Sequence, residues 1–141
     1  MKALIEWRCL AALLLTGLTS SVFGIRDAEA SSMNGTWRIE NLVLDIFDCQ
    51  LQVCGRIVWI GDPSRRPSQC GRTIVWGLSP SGPAEWKGGS IFDPDDGNTY
   101  RLSASFQSDG TLHARIFRGI ELFGKTKVLK RVDISALSGR C

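Results

Sequence analysis

The sequence predicts an all-β domain, a small antiparallel up-and-down β-barrel of seven or eight strands. Three observations point there. Tyr100, Leu102, Ala104 and Phe106 alternate with Arg101, Ser103, Ser105 and Gln107, the period of a strand with one buried face. Asp95-Asp96-Gly97-Asn98 and Ser108-Asp109-Gly110-Thr111 are hairpin-turn signals. Gly and Pro recur at short intervals, with no internal repeat and no long helical periodicity. So short a chain with so many strands must bury one face and manage its edges, which a closed barrel does; a two-sheet sandwich is the alternative.

The N-terminus reads as an export signal. Lys2 and Arg8 charge a short head, and residues 9–18 are apolar apart from Thr16 and Gly17. That run is shorter than the roughly 20 residues of a membrane span and fits the apolar core of a secretory signal. Ala28-Glu29-Ala30 has the A-x-A form of a cleavage site, with a cut after Gly24 as the alternative. Gly17, Thr19, Ser20 and Ser21 weaken the reading as an uncleaved anchor. The expected organisation is a signal peptide over residues 1–30 and one barrel domain over 31–141, periplasmic or secreted. No stable membrane span remains after cleavage.

Strands follow in order. Residues 35–39 open the first, and 43–47 continue it after a phase change near Asn41-Leu42 that suggests a bulge or bend. Residues 53–60 form the second, with Val53, Ile57 and Trp59 expected on one face. A loop with Pro63 and Pro67 spans 62–71, a short strand spans 73–78, and a Pro/Gly turn occupies 79–83. Residues 86–93 precede the Asp-rich turn, and Gly88-Gly89 marks a bulge or a close backbone approach. After the alternating strand, Leu112, Ala114 and Ile116 face inward on the return, and residues 121–132 supply the last strand.

Cleavage after Ala30 leaves 14 basic and 11 acidic residues, again +3. Lys125, Lys127, Lys130 and Arg131 form the one local basic cluster; with few aromatics beside it, it reads as a solvated strand face, not a nucleic-acid site. Cys49, Cys54, Cys70 and Cys141 remain, an even number that points to disulfides in an exported chain. Three pairings are open. Cys49–Cys54 is favoured because four residues between them suit a tight turn, which leaves Cys70–Cys141 to tie the C-terminus to a loop. A metal site would need closer ligand pairs, and His113 is the single histidine.

No catalytic set stands out. His113 alternates outward from Leu112 and Ala114, and no G-x-S-x-G, H-E-x-x-H or phosphate-cradling glycine loop is present. Asp93, Asp95 and Asp96 crowd one turn but lack the spacing of a calcium loop, so turn capping is the preferred role. Trp37, Trp59, Trp76 and Trp86 are the informative residues: four indoles either line an apolar pocket or fill a core.

The pattern Gly35-x-Trp37, then Cys49 with Val53-Cys54-Gly55-x-Ile57-Val58-Trp59, then Trp86-x-Gly88-Gly89-x-Ile91-x-Asp93-Pro94, Gly97-x-x-Tyr100 and Asp109-Gly110-x-Leu112 resembles the domain-of-unknown-function 2147 family of small exported bacterial proteins. The resemblance covers essentially the whole chain after residue 30 and implies a lipocalin-like or streptavidin-like barrel. The chain departs from the family near its end, where residues 119–123 hold no Cys and Leu129-Lys130-Arg131 lacks the usual Trp. The resemblance also implies a floor in which an Arg on the last strand packs across the indole of the first, here Arg131 on Trp37.

The expected function is therefore a non-enzymatic exported barrel, without cofactor or metal, that binds a small apolar or amphipathic ligand in its mouth. Trp59, Trp76, Trp86, Ile91, Tyr100 and Phe106 are the candidate lining. The alternative is an interaction module for an envelope or extracellular protein, with a solid core and the 63–71 loop (Arg65, Arg66, then Arg72) as contact surface. An enzymatic reading would require the 93–96 carboxylates to be catalytic.

Overall fold

The computed structural model describes residues 32–141, so the signal peptide read from residues 1–30 lies outside the described residues. Eight strands run β1 (Gly35–Ile39), β2 (Leu42–Cys49), β3 (Gln52–Ile60), β4 (Thr73–Gly82), β5 (Glu85–Asp93), β6 (Asn98–Phe106), β7 (Leu112–Phe117) and β8 (Lys125–Arg131). Each pairs antiparallel with its sequence neighbour, and β8 returns to β1 through Trp37–Arg131 and Arg38–Lys130, closing the barrel.

One difference from the sequence reading lies at residues 40–41. What looked like one bent strand over 35–47 is the β1–β2 hairpin. Glu40 adopts the left-handed backbone (φ 50°), and Ile39 pairs with Leu42 across it. The phase change in the apolar pattern is a reversal of direction. The 79–83 turn is also shorter than expected, because β4 runs on to Gly82.

Much of the inner face is apolar and buried. Trp37, Ile57, Ile60, Leu78 and Leu112 are each at most 1% exposed, and Phe106 meets the Trp37 ring edge-on at 5.8 Å. Gly89 lets two strands approach. The β5–β6 register shifts between Trp86 and Gly89, Gly88 takes a left-handed φ of 77°, and a Cβ on Gly89 would lie 2.5 Å from Leu78 Cγ.

The end at which β1 begins is the floor. The Trp37 indole donates to the Met33 carbonyl at 2.7 Å, and Arg131 lies over the same indole at 4.3 Å. Arg131 also donates to the carbonyls of Asn34 (2.7 Å) and Ser32 (3.1 Å), so residues 32–34 are drawn under the barrel with Met33 buried. Gly35 leaves room for that guanidinium: a Cβ there would meet Arg131 Nη1 at 2.5 Å.

Beyond Arg56–Thr73 the β3–β4 ladder ends, and the chain makes a 3-10 turn (Pro63–Arg65) and one helical turn, α1 (Arg66–Gln69), before β4. The C-terminal tail covers the exposed edge. Cys141 N–H donates to Val58 O at 2.9 Å, Arg140 bridges to Trp59, and the Cys70–Cys141 disulfide fastens the tail to the end of α1. The second disulfide, Cys49–Cys54, spans the β2–β3 turn. Bridged cysteines of this kind persist in oxidising compartments.

Candidate functional site

The antiparallel order sorts the connections. The β2–β3, β4–β5 and β6–β7 turns lie at the floor end, while β1–β2, the 61–72 loop, β5–β6 and β7–β8 lie at the mouth.

A cleft of about 330 Å³ opens at the floor end. Its walls are the N-terminal segment at Met33, the β2–β3 hairpin at Leu51 and Val53, and the β4–β5 hairpin at Pro80 and Pro83, with Trp86 at the back. Polar groups ring it at Asn34, Asp48, Gln50 and Gln52, and Asn34 Nδ2 donates to Asp48 Oδ2 at 2.8 Å. Local chemistry builds the walls. Gln50 turns the hairpin with a left-handed φ of 59°, Cys49–Cys54 clamps its two strands, and Leu51 is held out at the tip, 95% exposed. Trp86 pairs with Pro80 on β4 and Ala104 on β6, which sets its ring on the inner face at the cleft's back. A larger groove of about 610 Å³ lies between Val58 and the tail residues Ile134, Gly139, Arg140 and Cys141; it is shallow and open to solvent, and none of the predicted lining residues borders it.

The six residues expected to line one pocket are not together. Trp59 is on the outer surface. Val43 pairs with Trp59 and Leu44 with Ile57, so Val58 is the extra residue of a bulge. The bulge inverts the alternation, sending Ile60 inward and Trp59 outward. The Trp59 indole donates to Ser138 O at 2.8 Å, and Arg38 stacks on it at 5.2 Å. Trp76 is also outside, 39% exposed, because its neighbour Val75 takes the inward position opposite Ile91. Trp86, Ile91, Tyr100 and Phe106 keep the inward phase, but at different heights. Trp86 and Phe106 are near the floor, and Ile91 pairs with Tyr100 near the mouth. Of the six, Trp86 alone borders the cleft. Met33, Leu51, Pro80 and Pro83 were missed. The available signal was Leu51, an apolar residue inside a six-residue Cys-to-Cys hairpin.

At the mouth, charged groups fasten loops. Arg65 pairs with Asp95, tying the 61–72 loop to the β5–β6 turn. Arg66 Nε donates to Ile60 O at 3.1 Å, and Arg72 stacks on Phe92 at 4.2 Å. All three arginines expected to face a partner are thus engaged within the chain. Asp93 accepts from Asp95 N–H at 2.8 Å and Asp96 from Asn98 N–H at 2.7 Å, which is turn capping. The Tyr100 hydroxyl donates to Asp96, and Arg118 donates to that hydroxyl at 3.2 Å. The hydroxyl bond holds the Asp96 carboxyl below its ordinary range, and the carboxylate raises the Tyr100 phenol. The basic cluster of β8 is divided between faces: Lys125, Lys127 and Arg131 share the inward phase of Leu129, while Lys130 points outward. Lys127 reaches Glu40 across the rim.

The outer face carries Arg38, Asp45, Arg56, Arg101 and Arg115, the reverse of the apolar outer band of a membrane-spanning barrel. Among the described residues no helix is long and apolar enough to cross a membrane.

Comparison with known proteins agrees with this architecture. The family described as an uncharacterized protein conserved in bacteria (DUF2147) matches residues 35–131. A solved structure from Helicobacter pylori, HP1028, described as belonging to the lipocalin family, superposes with a TM-score of 0.62 at 18% identity. The match covers 74% of this chain and 85% of that one. No curated protein matches.

Proposed function

This chain belongs to the DUF2147 family of proteins conserved in bacteria, and from that premise we propose that it is a non-enzymatic, exported barrel that binds a small apolar or amphipathic molecule. The observation that carries the reading is the floor-end cleft. It combines a volume of about 330 Å³, an apolar wall of Met33, Leu51, Pro83 and Trp86, and a polar ring able to orient a headgroup. That volume lies within the range of about 300–1,000 Å³ typical of small-ligand sites. The lipocalin-like fold and the two disulfides support the reading. This reading puts the ligand at the floor and not the mouth, with a buried apolar core filling much of the barrel's interior as its support.

The test is a titration with an apolar fluorescent probe, 8-anilinonaphthalene-1-sulfonate, alongside native mass spectrometry of protein purified from its host. Leu51 is almost fully exposed, so Leu51→Asp leaves the fold intact. Covering one leucine contributes about 1.5–3 kcal/mol, so the variant is expected to bind at least roughly tenfold more weakly. Equal binding by both proteins, with no mass adduct on either, overturns the proposal.

A second reading, an interaction module for an envelope or extracellular protein, is favoured by the same filled interior. A co-purifying protein in place of a small adduct would select it.

A further inference from the structure

The β7–β8 connection is built, yet it displays apolar side chains to solvent. Ile120, Leu122 and Phe123 are 63%, 74% and 79% exposed. They belong to a 3-10 turn (Glu121–Phe123) that is firmly fastened. Arg115 on the outer face of β7 donates to the carbonyls of Glu121 (3.0 Å) and Leu122 (2.7 Å) and to Thr126 Oγ1 (3.0 Å). Ser103 donates to the Glu121 carboxylate, and Gly124 N–H closes the turn on Glu121 O at 3.0 Å. Gly124 is pressed against β7, where a Cβ would meet Ile116 O at 2.8 Å. The hydrogen bonds engage the carbonyls of Ile120, Glu121 and Leu122 and the loop's one carboxylate, and the three apolar side chains stay outside. An ordered apolar patch of this kind marks a contact surface.

The surrounding charge identifies the partner. Arg115, Arg118, Lys125, Lys127 and Lys130 lie in or beside this connection, with Glu121 as the acid within it; Glu121 is bonded to Ser103, and Lys127 is paired with Glu40. Arg118 and Lys125 flank the apolar turn in the chain, and Arg118 also donates to the Tyr100 hydroxyl. Apolar side chains flanked by lysine and arginine are suited to the surface of an anionic bilayer, where the apolar groups enter the acyl boundary and the cations meet lipid phosphates. We propose that the 119–124 loop, folded back on the outer wall of β6 and β7, is an interfacial anchor that docks this side of the barrel on an anionic lipid surface. The two proposals are independent, since neither uses a residue of the other.

The test is flotation of the protein with phosphatidylcholine vesicles containing about one-third phosphatidylglycerol, against pure phosphatidylcholine. Wild type is expected to float with the anionic vesicles only, and less at high salt. Leu122→Ser/Phe123→Ser is expected to bind at least about tenfold more weakly. Both residues are exposed, so unchanged thermal unfolding verifies its fold. Phe123→Trp adds a reporter whose emission shifts to the blue on insertion. Failure of wild type to float overturns the proposal. So does equal binding by the double serine variant, which would show plain attraction of a basic protein. A concentration-dependent dimer abolished by the serine variant, without flotation of wild type, would assign the patch to a second copy instead.

Discussion

Gly89 offers the sharpest test of how the barrel is packed. Its backbone is not left-handed, so alanine suffers no conformational penalty there and restricts the unfolded chain. The cost is one of space. The added methyl would lie 2.5 Å from Leu78 Cγ and 2.7 Å from Cδ2, with Leu102 O at 3.3 Å behind it. Comfortable carbon contacts are about 3.5–4.0 Å, so one side must give by roughly 1 Å. Leu78 is 1% exposed and has nowhere to go. Overpacking typically costs about 1–3 kcal/mol, and the unfolded-state term returns about 0.4–1, so Gly89→Ala is expected to lose about 1–2 kcal/mol. Leu78→Ala alone should lose about 2–5 kcal/mol through its cavity. Combined, the new methyl occupies the space the leucine vacated, and the double variant should be more stable than the sum of the singles by at least about 1 kcal/mol. Urea denaturation followed by tryptophan fluorescence gives all four corners. Gly88→Ala is the control: its loss comes from the left-handed φ, about 1–2 kcal/mol, and Leu78→Ala should not relieve it. Single losses that add to within about 0.5 kcal/mol would refute the steric account.

Other predictions follow from features already described. Cys70 and Cys141 are 71 residues apart and Cys49 and Cys54 only 5, so by loop-closure entropy Cys70→Ser/Cys141→Ser should cost about 4 kcal/mol and Cys49→Ser/Cys54→Ser about 2, measured by urea denaturation. Tyr100 is the single tyrosine, so absorbance at 295 nm follows its ionisation alone; it should titrate above an ordinary tyrosine in wild type and lower in Asp96→Asn. Asp62, Asp109 and Asp133 are likewise held below the ordinary carboxylate range, each chiefly by a hydroxyl two residues on. A lowered folded-state pKa gives stability that is present above the unfolded value and lost as pH falls through the folded one. Thermal stability should therefore fall below the ordinary carboxylate range, and less so in Asp62→Asn and Asp133→Asn. Arg131→Met should lower stability by about 1 kcal/mol and loosen residues 32–34, read by hydrogen exchange at Asn34 and Gly35.

The strands and the barrel were legible because their signals are local. The alternation over 100–106 and the Asp-Gly turns fix direction and inward phase without any knowledge of neighbours. Of the three cysteine pairings the sequence leaves open, the structure has the favoured one: the four-residue gap suits a bridge between Cys49 and Cys54, and Cys70 pairs with Cys141. Trp59 was misread because a bulge at Val58 changes nothing in composition but inverts the face of every residue beyond it. Trp76 was misread because the irregular pairing around Ile74 and Gly77 obscures which side of β4 is inward. The cleft was invisible for another reason. Met33, Leu51, Pro83 and Trp86 come from three separate segments, and only the closure of the floor by Arg131 and Trp37 brings them to one place.

The docking of residues 140–141 on the edge of β3 has a consequence for how the chain assembles. An unpaired strand edge is a template on which another chain can add, and the edge at 58–59 is bare until the tail arrives. The tail follows every strand in sequence, so the barrel completes its ladder before its last edge is protected. Oxidation of Cys70 with Cys141 is what makes that protection lasting. In a reducing medium the same fold would carry an open edge beside the exposed indole of Trp59. Concentrated, reduced protein should then be lost to strand-mediated aggregation well before it unfolds, and a thiol-blocked chain should show the same fate at any stage of refolding.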